Sequence, residues 1–158
     1  MGLQAKRAFD LVYTGGGVLV WVPDIERWAA VIARALRPGG RLVLWDYHPV
    51  AMRWATVDGA LQIESSYFAG PGPIETQGWT HFAAGRGATT KKYEFTWTLG
   101  EIVTALAGAG LCVTRLSEYP TDAVWKFGDA LDPARDLPGL MLLVASRPEE
   151  TGRKRAGG

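Results

Sequence analysis

The spacing of apolar positions changes several times along this chain, and each change marks an element. Residues 9–14 (FDLVYT) form a short apolar run rich in β-formers, broken by Gly15, Gly16 and Gly17. From Ile25 the period becomes helical, with Ile25, Trp28, Ala29, Ile32 and Leu36 recurring on one face. Asp24 stands where an N-cap belongs, and Glu26 falls in the positive first turn. Pro38, Gly39 and Gly40 end the helix, since proline cannot continue the ladder and glycine supplies a left-handed exit. Residues 42–45 (LVLW) are then continuously apolar, as expected of a strand covered on both faces. Two buried strands joined by a helix predict a right-handed βαβ crossover in a parallel sheet.

The pattern is less regular beyond Asp46. Tyr47-His48-Pro49 reads as a strand-exit turn, and residues 50–92 keep no clean period. Gly70-Pro71-Gly72-Pro73 is a bend. Residues 61–67 (LQIESSY) alternate weakly, and residues 91–97 (KKYEFTW) place Tyr93, Phe95 and Trp97 on one face. This stretch reads as an inserted lid with one hairpin-like pairing. Thr98 and Glu101 then form a capping box, opening a helix that continues through Ile102, Val103 and Leu106 to a glycine exit at Gly110. Strands follow at residues 111–119 and 140–145, separated by a loop-rich stretch with Trp125 and Phe127 as anchors. The charged, glycine-ending residues 149–158 read as a disordered tail.

Composition bounds the rest. A chain of 158 residues, 47% hydrophobic and 21% charged, fits one globular domain over residues 1–148 with an insert at 50–92. A net charge of +1 gives no ground for a nucleic-acid partner. The single Cys112 rules out an internal disulfide, fits a reducing cytosol and is expected to be a buried, inert thiol. No apolar run approaches the roughly 20 residues of a membrane span, so no membrane partner is expected. Two histidines and one cysteine, scattered without ligand spacing, predict no metal site. Seven tryptophans signal either a heavy core or an aromatic-lined pocket, and composition does not separate the two.

The order strand, glycine turn, helix, R-P-G-G, strand, insert, helix, strand, strand resembles the C-terminal half of class I S-adenosylmethionine-dependent methyltransferases. The pieces that carry the resemblance are FDLVYT (9–14), W-x-P-D (21–24), L-R-P-G-G-R-L (36–42) and D-Y-H-P (46–49). Later come TLGEIVTALAGAGL (98–111) and LPGLMLLVASRP (137–148). The resemblance implies an α/β fold with a partial Rossmann-like sheet. It would hold the family's strands four to seven in the order 4-5-7-6, the last strand antiparallel. It also implies a departure. The family binds its cofactor through a glycine-rich loop after its first strand and an acidic residue ending its second, and nothing before Phe9 supplies either. The chain therefore looks like a methyltransferase lacking its first three strands, and an exposed parallel edge at residues 9–14 is expected.

Candidate residues follow from that placement. Thr14, Gly15, Gly16, Gly17 and Val18 would lie at the carboxyl end of a parallel strand, where open α/β sheets bind ligands, and the resemblance makes them cofactor-facing. A glycine turn demanded by sterics alone is the plainer reading. His48 leaves the next strand on the same side and suits a general base, or is a structural turn histidine. Asp46 either holds the turn or orients a substrate. Trp21, Tyr47 and His81 are candidates for a substrate pocket. The implied activity is methyl transfer from S-adenosylmethionine to a small molecule; the chain reads as a fragment, a mis-started frame, one half of a split enzyme or a degenerate relative, and the sequence does not choose among these or decide its activity alone. The implied partner is a missing N-terminal half or a second copy. The competing reading is a non-catalytic binding or assembly module that pairs through its bare sheet edge.

Overall fold

The computed structural model describes residues 9–68, 70, 72–77 and 91–149, with the backbone alone described at Gln77, Val124 and Trp125. Strand β1 (Phe9–Gly15) is followed by a short 3-10 turn (Leu19–Trp21) and helix α1 (Ile25–Ala35). The Asp24 side chain accepts the Arg27 N–H at 2.8 Å, the N-cap expected from sequence. The helix ends before Leu36, which is already extended, and strand β2 spans Leu36–Tyr47, with Pro38, Gly39 (φ 76°) and Gly40 in an irregular stretch where the register to β1 shifts between Phe9 and Leu11. Proline tolerates strand geometry where its missing N–H is not needed, so these residues lengthen the strand as well as stopping the helix.

The insert holds two antiparallel pairings where one was expected. Strands β3 (Trp54–Val57) and β4 (Ala60–Ile63) form a tight hairpin, and β5 (Ile74–Gln77) pairs with β6 (Lys91–Glu94). Asp58 and Gly59, at φ 51° and 77°, turn the first hairpin. That two-residue Asp-Gly step is the strongest local hairpin signal a sequence carries. Helix α2 (Leu99–Gly108) opens on the full capping box: Glu101 N–H reaches Thr98 Oγ1 at 3.1 Å and Thr98 N–H reaches Glu101 Oε2 at 2.7 Å. Strand β7 (Cys112–Pro120), short helices α3 (Val124–Phe127) and α4 (Leu131–Ala134), and strand β8 (Pro138–Ser146) complete the chain. Cys112 is exposed, correcting the expectation of a buried thiol, because it opens the edge strand β7.

The main sheet has the order β1-β2-β8-β7. β1 and β2 are parallel, in register from Leu11 opposite Arg41 to Gly15 opposite Trp45, and β8 is antiparallel to both β2 and β7. Helices α1 and α2 cover one face. Ile25, Ala29 and Ile32 of α1 and Ile102 and Leu106 of α2 bury against Leu42, Leu44, Met141 and Leu143. The alternation along β2 and β8 is therefore real, and the coverage of both faces expected from LVLW is not observed among the described residues. Val43, Trp45, Leu142 and Val144 on the other face are only half-buried. A second cluster, Ala51, Ala123, Phe127 and Ala134 with Trp54 and Leu61 against it, ties the first hairpin to α3 and α4. Phe127 is the anchor expected there.

Two glycines provide a direct check on this packing. A Cβ at Gly139 would stand 2.2 Å from Thr121 Cα, a backbone clash with no side chain to move aside. Gly139→Ala is expected to cost about 3 kcal/mol and lower the melting temperature by about 10 °C in thermal unfolding. Gly108→Ala meets nothing within 4 Å and is expected to raise stability by about 0.5–1 kcal/mol. Equal effects at the two positions would contradict the β8 packing described.

Candidate functional site

The carboxyl ends of β1 and β2 meet at the glycine turn. Gly15 has no room for a side chain, since a Cβ there would sit 1.9 Å from the Trp45 carbonyl oxygen. Gly16 N–H continues the ladder to Trp45 O at 3.0 Å, and Gly16 and Gly17 then turn the chain at φ 71° and 87°. Thr14 is half-buried near the end of β1, and Val18 packs against the main core as the chain enters the 3-10 turn.

Asp46 organises this turn. Its carboxylate is 2% exposed and accepts the N–H groups of Gly17 at 2.7 Å, Leu19 at 3.2 Å and its neighbour Tyr47 at 2.8 Å. Burial pushes the carboxyl up from its ordinary value, opposed by these backbone donors. The turn residues carry no internal partners for those N–H groups, so a buried acceptor that reaches them is what keeps them satisfied. The Tyr47 ring lies over the turn, its Cε2 3.5 Å from where a Gly17 Cβ would be.

His48 serves a different neighbour. It is 2% exposed, its N–H donates to Gly139 O at 2.9 Å, and its Nδ1 accepts the Val50 N–H at 3.2 Å. Nε2 lies 2.9 Å from Glu118 Oε1 on β7, but off the line a hydrogen bond requires, so the contact is electrostatic. Burial lowers the imidazole's pKa, against the raising effect of the Glu118 charge. Asp46 thus ties β2 to β1, whereas His48 ties it to β7 and β8. Trp21 ends the 3-10 turn on the surface, with Lys92 Nζ 5.8 Å from its ring centroid. His81 lies outside the described residues.

Two spaces adjoin these strand ends. The inner one, bounded by Leu19, Asp46, Tyr47, Tyr67 and Trp97, has a volume of about 30 Å³, room for about two waters. The outer one measures about 450 Å³ and shares Val20, Met52, Arg53, Phe95 and Thr96 with the first. Lys92, Glu94, Glu64 and Lys126 also face it. None of these residues was singled out from sequence as a site. Val20 comes from the first 3-10 turn, Met52 and Arg53 from a second 3-10 turn after β2 (Ala51–Arg53), and Glu64 from just past β4; Lys92 and Glu94 come from β6, Phe95 and Thr96 from just beyond it, and Lys126 from α3. Only the Asp58-Gly59 turn hints at part of that arrangement. Among the described residues no group of three His, Cys, Asp or Glu side chains is placed to hold a metal.

A nucleoside-bearing sulfonium does not fit the inner space, and the Gly17 and Leu19 N–H groups are already taken by Asp46.

No protein-family model and no curated protein matches the sequence. Solved structures do match. An S-adenosylmethionine-dependent methyltransferase from Mesorhizobium loti aligns at 26% identity and TM-score 0.60, over 90% of this chain and 63% of its own. One from Methanosarcina mazei aligns at 13% identity and TM-score 0.60, over 95% of this chain and 64% of its own. A methyltransferase from Haloferax volcanii, solved in complex with the Trm112 activator, aligns at 17% identity and TM-score 0.56, over 94% and 58%. The chain therefore spans less than two thirds of the length of these structures. Over that span it has the fold of the S-adenosylmethionine-dependent methyltransferases, the family it resembles, and S-adenosylmethionine is that family's cofactor.

Proposed function

We propose that this chain is the acceptor-side part of a methyltransferase that moves a methyl group from S-adenosylmethionine to a small molecule. In this reading the remaining donor wall comes from a segment laid along β1. The observation that carries the reading is the state of β1. It is a parallel strand at a sheet edge, paired among the described residues with β2 alone, and its Phe9, Leu11 and Tyr13 are 48%, 56% and 62% exposed. Parallel strands are ordinarily flanked and covered, so an apolar parallel edge calls for a partner. The segment lies outside the described residues or in another chain, either a complementary half or a second copy.

Within this reading Thr14, Gly15, Gly16, Gly17 and Val18 form the β1 side of the donor wall, with Tyr47 over it and Trp21 at its rim. Asp46 is a positioning residue that fixes the turn. His48, with its Nδ1 occupied and its Nε2 held toward Glu118, is a structural turn residue rather than a general base. Methyl transfer asks little of side chains, because the sulfonium is already an activated donor and positioning supplies much of the rate. A second reading, a non-catalytic assembly module pairing through β1, draws on the same exposed edge. The Haloferax volcanii structure, in which a methyltransferase binds an activator protein, concerns that protein; a partner here is part of the proposal.

Calorimetric titration with S-adenosylmethionine tests the incomplete wall: the chain by itself is expected to show no tight binding, and low-micromolar affinity would sink it. Edge pairing is checked by size-exclusion chromatography with light scattering. The wild-type chain is expected to self-associate, and a Leu11→Lys, Tyr13→Lys variant to run as a monomer. A stable wild-type monomer argues against a second copy on β1. The structural role of His48 predicts a pH effect. Its lowered pKa favours the neutral imidazole in the folded state, so its contribution is fully present above 6.5 and is lost as pH falls through the folded value. Denaturation against pH is expected to show this loss in the wild type and not in His48→Gln; parallel curves would refute it.

A further inference from the structure

We infer that the outer space of about 450 Å³ is an acceptor site that selects an organic anion, a carboxylate or phosphate head on an apolar body. The inference rests on the methyltransferase reading for the word acceptor, and on the cavity itself for the anion. Three cations from three separate elements face this space: Arg53 from the 3-10 turn after β2, Lys92 from β6 and Lys126 from α3. Two carboxylates, Glu64 and Glu94, oppose them, so the wall carries one net positive charge.

The carboxylates are not equivalent. Glu94 is engaged on both oxygens, receiving Lys92 Nζ at 2.8 Å and the Thr76 hydroxyl at 3.2 Å. Glu64 meets Lys126 only at 3.7 Å, beyond hydrogen-bond reach, and its side chain is 58% exposed while that of Lys126 is 13% exposed. Lys126 is therefore a mostly desolvated cation whose counter-charge stands off in solvent. Arg53 is spent in part on Ser65, donating Nη1–H to its hydroxyl at 3.1 Å. Burial lowers the pKa of both Arg53 and Lys126, the Glu64 and Glu94 charges oppose that at both, and the Arg53 charge adds to the lowering at Lys126. Two partly desolvated like charges held beside an open cavity are relieved by an anion entering it.

The rest of the lining suits an apolar body. Val20, Met52 and Phe95 line both spaces and Lys126 only the outer one, so a ligand whose head meets Lys126 would direct its apolar part toward the ends of β1 and β2. That is the wall to which the donor is assigned above. A neutral or cationic acceptor would leave the cationic surplus uncompensated or add to it.

The test titrates the intact chain, without donor, with benzoate, phenyl phosphate, benzamide and benzylamine, followed by calorimetry or amide NMR shifts. Benzoate and phenyl phosphate are expected to bind about tenfold or more tightly than benzamide, with affinity falling as salt is added. Lys126→Gln is expected to weaken benzoate about tenfold, and Glu64→Gln, on an exposed side chain, to strengthen it. A gain in Glu64→Gln cannot come from a misfolded protein. Equal binding of benzamide and benzoate, no binding of either anion, or benzoate affinity unchanged in both variants would overturn the inference. Anion selection without donor affinity in any assembled form would leave this site standing and remove the methyltransferase reading; donor binding without anion selection would do the reverse.

Discussion

A buried carboxylate holding a backbone turn is the interaction on which the rest of this molecule depends. Asp46 follows Trp45, the last β2 residue paired with β1, and its oxygens reach across to Gly17 and Leu19. Without an acceptor there, the chain leaving β1 would bury N–H groups with no partner, at about 1–3 kcal/mol each. With it, the glycine turn has one geometry, Tyr47 is laid over it, and the 3-10 turn that follows delivers Leu19 and Val22 into the main core. The same residue therefore secures the fold and shapes the end of the sheet where a ligand of an open α/β fold would lie.

The sheet is asymmetric. On one face α1 and α2 bury Leu42, Leu44, Met141 and Leu143. The other is half-covered, and its least covered residues belong to β1. A parallel strand joined to its neighbour by a crossover helix needs cover on both faces, and here the described chain provides one.

The outer cavity shows how charge can be assembled from unrelated stretches. Arg53, Lys92 and Lys126 are far apart in sequence and come together because the first hairpin packs on α3 through Phe127, with the Thr56 hydroxyl donating to the Phe127 carbonyl at 2.6 Å. The β5–β6 pair then brings Lys92 and Glu94 to the same wall.

Much of the scaffold was legible along the chain, because local chemistry writes it. The Asp24 cap, the Thr98–Glu101 capping box, the helical period of α1 and the apolar runs of β1, β2 and β8 are all settled by neighbours within a few residues. The Asp58-Gly59 turn is equally local, though the strands it joins are only four residues each. Other features had no local signature. Whether Asp46 holds a turn or orients a substrate depends on where Gly17 and Leu19 arrive, 29 and 27 residues away. The engagement of His48 depends on Glu118 from β7, and the exposure of Cys112 on β7 lying at an edge. Residue period specifies which side of an element is apolar; only the assembled sheet decides what, if anything, covers that side, and which distant charges share one cavity.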